Sequence, residues 1–295
     1  MASYYKRVFK PSIREYLYVI PGKKTFFGLI KLIWNLVKPN AVTYPVAVTV
    51  LTTHCSLKCA KCNNLMPCYK EPYHIPAQTV LKDISTLLSH TDICIKLELL
   101  GGEPFVYPEI NTVIKGVREF KNVMCVAFTT NATVIPGDET LKLIASLKNK
   151  KVVISDYGIK TQKVEELMEA CRKYNIPCAR SVSEYWADPG GLDCRGKTQE
   201  QLGIEYDKCY SSRYCRTMLN GKMYACARSA SLADLGYMDG THDSFDIRRE
   251  RSDKEFRKEF RKFLTLDYAD ACNYCDHFKG IRIPSGEQLD GGLNA

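Results

Sequence analysis

Between residues 46 and 182, strand-length apolar runs alternate with helix-length amphipathic segments, and this rhythm restricts the fold more than any other feature of the chain. Strands are predicted at 46–52, 93–100, 123–129, 152–155 and 177–182, separated by helices at 76–90, 108–120, 139–148 and 161–174. Strands joined through helices are parallel, because the crossover returns the chain to the same end of the sheet. The prediction is therefore an α/β fold, a parallel sheet curled into a partial or full barrel, with its chemistry at the carboxyl ends of the strands.

The rhythm stops at residue 183. Residues 186–203, with Pro189, Gly190, Gly191 and Gly196, read as a long loop. Beyond it lie a hairpin centred on Asn220-Gly221, a charged helix after Ser252-Asp253 and a Cys272-Asn273-Tyr274-Cys275 knuckle. Four segments follow: an N-terminal arm (1–42), the barrel (43–185), a linker or active-site loop (186–208) and a cysteine-rich module (209–295).

Charge is concentrated in the arm. Residues 1–40 carry Lys6, Arg7, Lys10, Arg14, Lys23, Lys24, Lys31 and Lys38 against Glu15 alone, which is +7 of the chain's +9. With Phe26, Phe27, Leu29, Ile30, Leu32, Ile33, Trp34 and Val37, the arm suits either a helix packed on the barrel with its lysines in solvent or peripheral contact with an anionic membrane. Lys31 and Asn35 interrupt its longest apolar run, which is too short to span a bilayer. No basic stripe continues through the body of the chain, so no nucleic-acid partner is expected. The N-terminus lacks a secretory pattern, so the expected location is cytoplasmic, where thiols stay reduced.

Fourteen cysteines in 295 residues are too few for a disulfide scaffold, and a reducing compartment would not keep bridges closed. Cys94, Cys125, Cys171 and Cys178 sit inside apolar patterns and read as small core residues. The others call for metal. Cys55, Cys59 and Cys62 follow the first strand at a spacing that folds into a small loop, able to hold three corners of an iron–sulfur cube. A zinc site completed by His54 or Cys68 is the competing reading.

The next strand runs into Gly101-Gly102-Glu103-Pro104, whose glycines let a ligand approach the backbone closely. Standing one βα unit after CxxxCxxC, this GGEP segment resembles the radical S-adenosylmethionine (SAM) superfamily. The resemblance implies a partial (β/α)6 barrel in which Cys55, Cys59 and Cys62 hold a [4Fe-4S] cluster with one open iron for SAM. It also implies that Gly101, Gly102, Glu103 and Pro104 receive the SAM amino group, and that Asn131 and Ser155 contact its ribose and carboxylate. Asn131 and Ser155 read equally well as polar caps on the following helices. Lys61 departs from the family, where an aromatic residue often precedes the third cysteine and helps to hold adenine. The implied chemistry is reductive cleavage of SAM, by an electron from an external flavodoxin- or ferredoxin-type donor, to a 5′-deoxyadenosyl radical that abstracts hydrogen from a substrate carbon.

Cys209, Gly221, Cys226, Cys272 and Cys275 are similar in spacing to the Twitch form of the SPASM module, which implies a second [4Fe-4S] cluster. The spacing is also similar to that of the butirosin-pathway aminocyclitol dehydrogenase. Cys215 is the alternative to Cys209 as a ligand, and a structural zinc ribbon is the alternative to the cluster. Four protein ligands suit electron transfer better than substrate chelation. Cys68 and Cys194 are candidate hydrogen donors to a substrate radical, and Arg180, Tyr185, Trp186, Arg213 and Arg228 are candidate pocket residues.

The whole chain resembles small radical SAM proteins of polysaccharide-type clusters. The expected reaction is oxidation at a hydroxylated carbon of a small molecule, namely a sugar, an aminocyclitol or a nucleotide sugar. Peptide maturation, radical epimerisation through a cysteine, and a non-catalytic iron–sulfur scaffold are the alternatives.

Overall fold

The computed structural model describes residues 2–19 and 25–289. Lys23 and Lys24 of the basic arm, the side chain of Phe26 and residues 290–295 lie outside the described residues.

The strands β1 (Thr43–Val50), β2 (Ile93–Leu100), β3 (Val123–Thr130), β4 (Lys150–Asp156) and β5 (Cys178–Val182) form one parallel sheet. Between them run α3 (Ala77–Ser89), α4 (Ile110–Val117), α5 (Asp138–Ser146) and α6 (Val164–Lys173). In α3, Val80, Ile84, Leu87 and Leu88 recur at helical spacing and are buried, so one stripe of the helix covers the sheet. Cys94, Cys125 and Cys171 are buried core residues, and Cys178 packs partly buried against the same core.

The sixth parallel strand comes from the segment expected to form a separate module. β7 (Arg216–Leu219) pairs parallel to β1, and β8 (Lys222–Tyr224) and β9 (Ser244–Asp246) extend the edge antiparallel, giving the order β5-β4-β3-β2-β1-β7-β8-β9. β1 thereby gains a neighbour on each side, consistent with its burial at every position. Asn220 and Gly221 both have positive φ at the β7–β8 turn, the backbone that a two-residue hairpin requires.

The expected loop at 186–203 contains regular structure. β6 (Tyr185–Ala187) pairs antiparallel with β10 (Arg282–Pro284), and α7 (Gln199–Lys208) starts at a Thr198–Gln201 capping box within that stretch. The other elements of the C-terminal part are α8 (Ala227–Asp234) and α9 (Asp253–Leu264), the latter capped by a Ser252–Glu255 box.

The arm divides in two. In α1 (Lys10–Val19), Ser12, Glu15, Tyr16 and Val19 are buried, and Lys96 on β2 lies 3.1 Å from Glu15 and 3.3 Å from Glu98. In α2 (Thr25–Val37), Leu32 and Leu36 are buried while Ile30, Trp34 and Val37 face outward. Among the described residues, no helix is long and apolar enough to cross a membrane.

Candidate active site

Register brings the functional segments to one end of the sheet. Val50 pairs with Leu100, Leu99 with Phe128 and Thr130 with Ile154, so the residues following β1 to β4 emerge side by side. The loop after β1 lies directly on the loop after β2: Gly102 N–H donates to Thr52 O at 2.9 Å and Glu103 N–H to His54 O at 3.0 Å. A Cβ on Gly102 would stand 2.1 Å from His54 O, so only glycine permits this approach.

A cavity of about 450 Å³ opens here. Cys55, Cys59 and Cys62 line it together with Gly101, Gly102, Asn131 and Ser155. Burial pushes the Cys55 thiol up to about 12 and the Cys62 thiol up to about 11, and raises that of Cys59. Buried, crowded thiols of this kind become thiolates when a cation-rich group binds them. The Asn131 side-chain amide reaches Ser56 Oγ at 3.2 Å and Cys55 Sγ at 3.7 Å.

Glu103 and Pro104 do not line the cavity. Glu103 is fully buried, and its carboxylate accepts from Asn131 N–H at 2.8 Å, Thr130 Oγ1 at 2.8 Å and Phe105 N–H at 3.1 Å. It joins strand ends, and Pro104 begins the short turn behind them. Burial outweighs these three donors and pushes the Glu103 carboxyl up to about 7.

A second cavity gathers Cys209, Cys226, Cys272 and Cys275 from three points of the C-terminal part. Cys215 is not in its wall and packs instead with Val46, Val48 and Tyr214. Lys197 braces the knuckle, its ammonium donating to Cys272 O and Cys275 O at 2.8 Å each and to Glu205 at 2.7 Å. Fully buried Asp243 receives Asp270 N–H at 2.6 Å and Ala271 N–H at 2.9 Å, fixing the turn before Cys272. Burial raises the Cys226, Cys272 and Cys275 thiols. Asn63 and His277 belong to the walls of both cavities. Among the described residues, no three His, Cys, Asp or Glu side chains converge tightly enough for a single metal ion.

A protein-family model described as a 4Fe-4S single cluster domain matches residues 45–174. Native anSMEcpe with bound AdoMet and Kp18Cys peptide has a similar fold, with a TM-score of 0.51 at 15% identity over 86% of this chain and 92% of that one. This likeness is one of fold. BtrN in complex with AdoMet and 2-DOIA is similar over 85% of this chain and 98% of that one, with a TM-score of 0.46 at 15% identity. Streptococcus suis SuiB bound to S-adenosylmethionine gives 0.41 at 19% identity over 68% of this chain. The chain spans 39–48% of the length of the SuiB chains that it matches. A comparison with curated protein sequences finds no match.

Several of the expected site residues stand elsewhere. Cys68 packs against the Leu65, Leu232 and Ala271 cluster, and Cys194 is exposed, so neither thiol reaches the first cavity. His54 stacks on His74 with ring centroids 4.2 Å apart. Arg180 is held by Asp156 at 2.7 Å and Glu165 at 2.8 Å, and Arg213 donates to Lys208 O at 3.1 Å; both lie outside the cavity. Arg228 belongs to the second cavity. Tyr185 and Trp186 do line the first.

Sequence reasoning did not single out Thr129, Tyr157 or Gln288 as neighbours of these sites. Tyr157 and Thr129 line the first cavity, with Tyr157 edge-on to Trp186 at 5.1 Å. Gln288 donates to Cys59 Sγ at 3.3 Å and accepts from Lys58 N–H at 2.8 Å, so the C-terminal segment covers the cysteine loop. Lys61, in the wall, pairs with Asp188 at 3.3 Å. Strand-end position was the available signal for Tyr157 and Thr129, whereas none existed for Gln288, which arrives across 229 residues.

Proposed function

We propose that the chain is a radical SAM oxidoreductase that oxidises a hydroxylated carbon of a sugar, an aminocyclitol or a nucleotide sugar. The observation that carries this reading is the shared wall: Asn63 and His277 separate a three-thiol cavity from a four-thiol cavity. Cys55, Cys59 and Cys62 would hold the first [4Fe-4S] cluster, and Cys209, Cys226, Cys272 and Cys275 the second. When bound, the clusters and SAM supply a carbon radical at one site and a one-electron acceptor at the other. The net change is loss of a hydrogen atom, an electron and a proton from a secondary alcohol, leaving a ketone.

The chain's own groups have distinct tasks in this reading. Main-chain atoms of Gly101 and Gly102 receive the SAM amino group, and Asn131 and Ser155 take its polar ribose and carboxylate. Tyr157 and Trp186 supply aromatic surface where Lys61 replaces the family's usual aromatic residue. Glu103 acts from behind the wall by positioning Asn131. Lys197 and Asp243 hold the second set of thiols in place. Residues 43–185, whose sheet is extended by β7, β8 and β9, serve as the catalytic barrel and the rest of 209–295 as the auxiliary-cluster module, with 186–208 between them and 1–42 as the arm.

The same reading assigns a reducing cytoplasmic setting, which suits fourteen free thiols, and an external flavodoxin- or ferredoxin-type donor. It also assigns peripheral contact with anionic lipid through the arm, supported by outward Ile30, Trp34 and Val37 beside exposed Lys31 and Lys38. A peptide substrate is the alternative. Epimerisation through Cys68 or Cys194 is disfavoured because neither thiol is in the cavity wall.

Anaerobic reconstitution, reduction and addition of SAM test the reading. The expected product is 5′-deoxyadenosine, with faster formation and a ketone product when the right alcohol is present. Absence of 5′-deoxyadenosine with both clusters filled would overturn the enzyme, and stimulation by a precursor peptide alone would replace the substrate class.

A further inference from the structure

Two residues lining the four-thiol cavity each carry a buried donor atom that has no partner among the described residues. Arg228, only 2% exposed, follows Cys226 at the start of α8 and lines the cavity. Its Nε donates to Tyr274 O at 2.9 Å and its Nη2 to Gly191 O at 2.8 Å, which fixes the plane of the guanidinium. Among the described residues, its Nη1 is buried without a partner. Tyr206, from α7, is also 2% exposed and lines the same cavity, and its hydroxyl is likewise without a partner. Arg7 lies 4.4 Å over the face of the Tyr206 ring, which helps to hold the phenol in place.

An unpaired buried donor is costly, so two of them on residues that line one thiol-lined space call for an occupant rich in acceptors. Cluster sulfides and thiolates are such acceptors. A cube held by four thiolates carries net negative charge and gains one more on reduction, so nearby donors and a fixed positive charge favour the reduced form. Burial pushes the Tyr206 phenol up to about 12, which keeps its proton in place at neutral pH.

We propose that Arg228 and Tyr206 donate hydrogen bonds to the sulfurs of the second cluster and raise its reduction potential, making it the better acceptor of the substrate's electron. This rests on the auxiliary-cluster reading of Cys209, Cys226, Cys272 and Cys275. Both are positioning residues, because they act through the cluster and not on the substrate.

The test is an EPR-monitored redox titration of the full chain with Cys55, Cys59 and Cys62 replaced by alanine, so that the second cluster alone gives the signal. Tyr206→Phe should lower the midpoint potential and Arg228→Gln should lower it further. Arg228→Lys, which keeps the charge but loses the fork, should fall between the parent and Arg228→Gln. Unchanged potentials in Tyr206→Phe and Arg228→Gln, at iron and sulfide contents equal to the parent's, would overturn the proposal. If Arg228→Gln fails to hold iron, Tyr206→Phe and Arg228→Lys decide: a midpoint unchanged in both overturns it. A parent background with no four-iron cluster would instead remove the reading beneath the proposal, and the proposal with it.

Discussion

The main-chain N–H of Asn131 donates to the Glu103 carboxylate at 2.8 Å, joining the ends of β2 and β3 behind the cavity wall. Glu103 thus holds in place a residue that reaches the Cys55 loop. Glu103→Gln replaces one acceptor oxygen with an amide that cannot accept, leaving a buried donor unpaired. The expected cost is about 1–3 kcal/mol by urea unfolding, with weaker SAM binding by the reconstituted protein.

The same carboxyl makes stability depend on pH. Its value in the folded protein, about 7, lies above its ordinary 4.5, so the folded state holds the proton more tightly. The resulting stabilisation is complete below pH 4.5 and is lost as pH rises through 7. The metal-free protein should therefore lose stability across that window, and Glu103→Gln should flatten the profile there. An identical slope in both proteins, measured by urea unfolding at several pH values, would assign the dependence to other groups.

Gly102→Ala forces a Cβ to within 2.1 Å of His54 O and 2.7 Å of Cys55 Cβ. Neither neighbour is the free end of a flexible side chain, so the first cysteine loop must move. Reconstituted iron content should fall to about half of the parent's, since the second set of thiols is untouched. Full iron content with normal spectra would show that the loop tolerates the shift.

The two sets of thiols are separable by single changes. Cys59→Ala should abolish SAM cleavage, whereas Cys272→Ala should retain uncoupled 5′-deoxyadenosine formation without substrate oxidation. Cys209→Ala should lose the second cluster, and Cys215→Ala should keep it, because Cys215 lies outside the second cavity. Iron analysis and product assays distinguish these outcomes. Equal loss of cleavage in the Cys59 and Cys272 variants would mean that the second site holds the fold together.

Ile30, Trp34 and Val37 present one outward apolar stripe on α2, with Lys31 and Lys38 exposed beside it. Co-sedimentation with vesicles of phosphatidylserine and phosphatidylcholine should be salt-sensitive and should fall at least several-fold in an Ile30→Ser, Trp34→Ser double variant. Binding that is equal on neutral vesicles, or unaffected by the substitutions, would show that lipid is not the partner of this face.

Local pattern was sufficient wherever one element carried its own signal. The period-two and helical repeats located β2 at 93–100 as observed, Asn220-Gly221 marked the β7–β8 turn through its positive φ, and Ser252 began α9. A capping box at Thr198–Gln201 was equally local but lay in a stretch rich in glycine and proline, and the composition masked it.

The sequence by itself determined the parallel sheet and the two sets of cysteines, because periodicity and short spacing are properties of neighbouring residues. Only the tertiary structure decided that β7 completes the parallel sheet, that Cys209 rather than Cys215 faces Cys226, and that Glu103 stands behind the wall. It also brought Gln288 onto Cys59 and placed Arg228 and Tyr206 in the wall of the second cavity. Such contacts depend on packing between residues far apart in the chain, where burial and hydrogen-bond partners are set by the whole core and not by any local repeat.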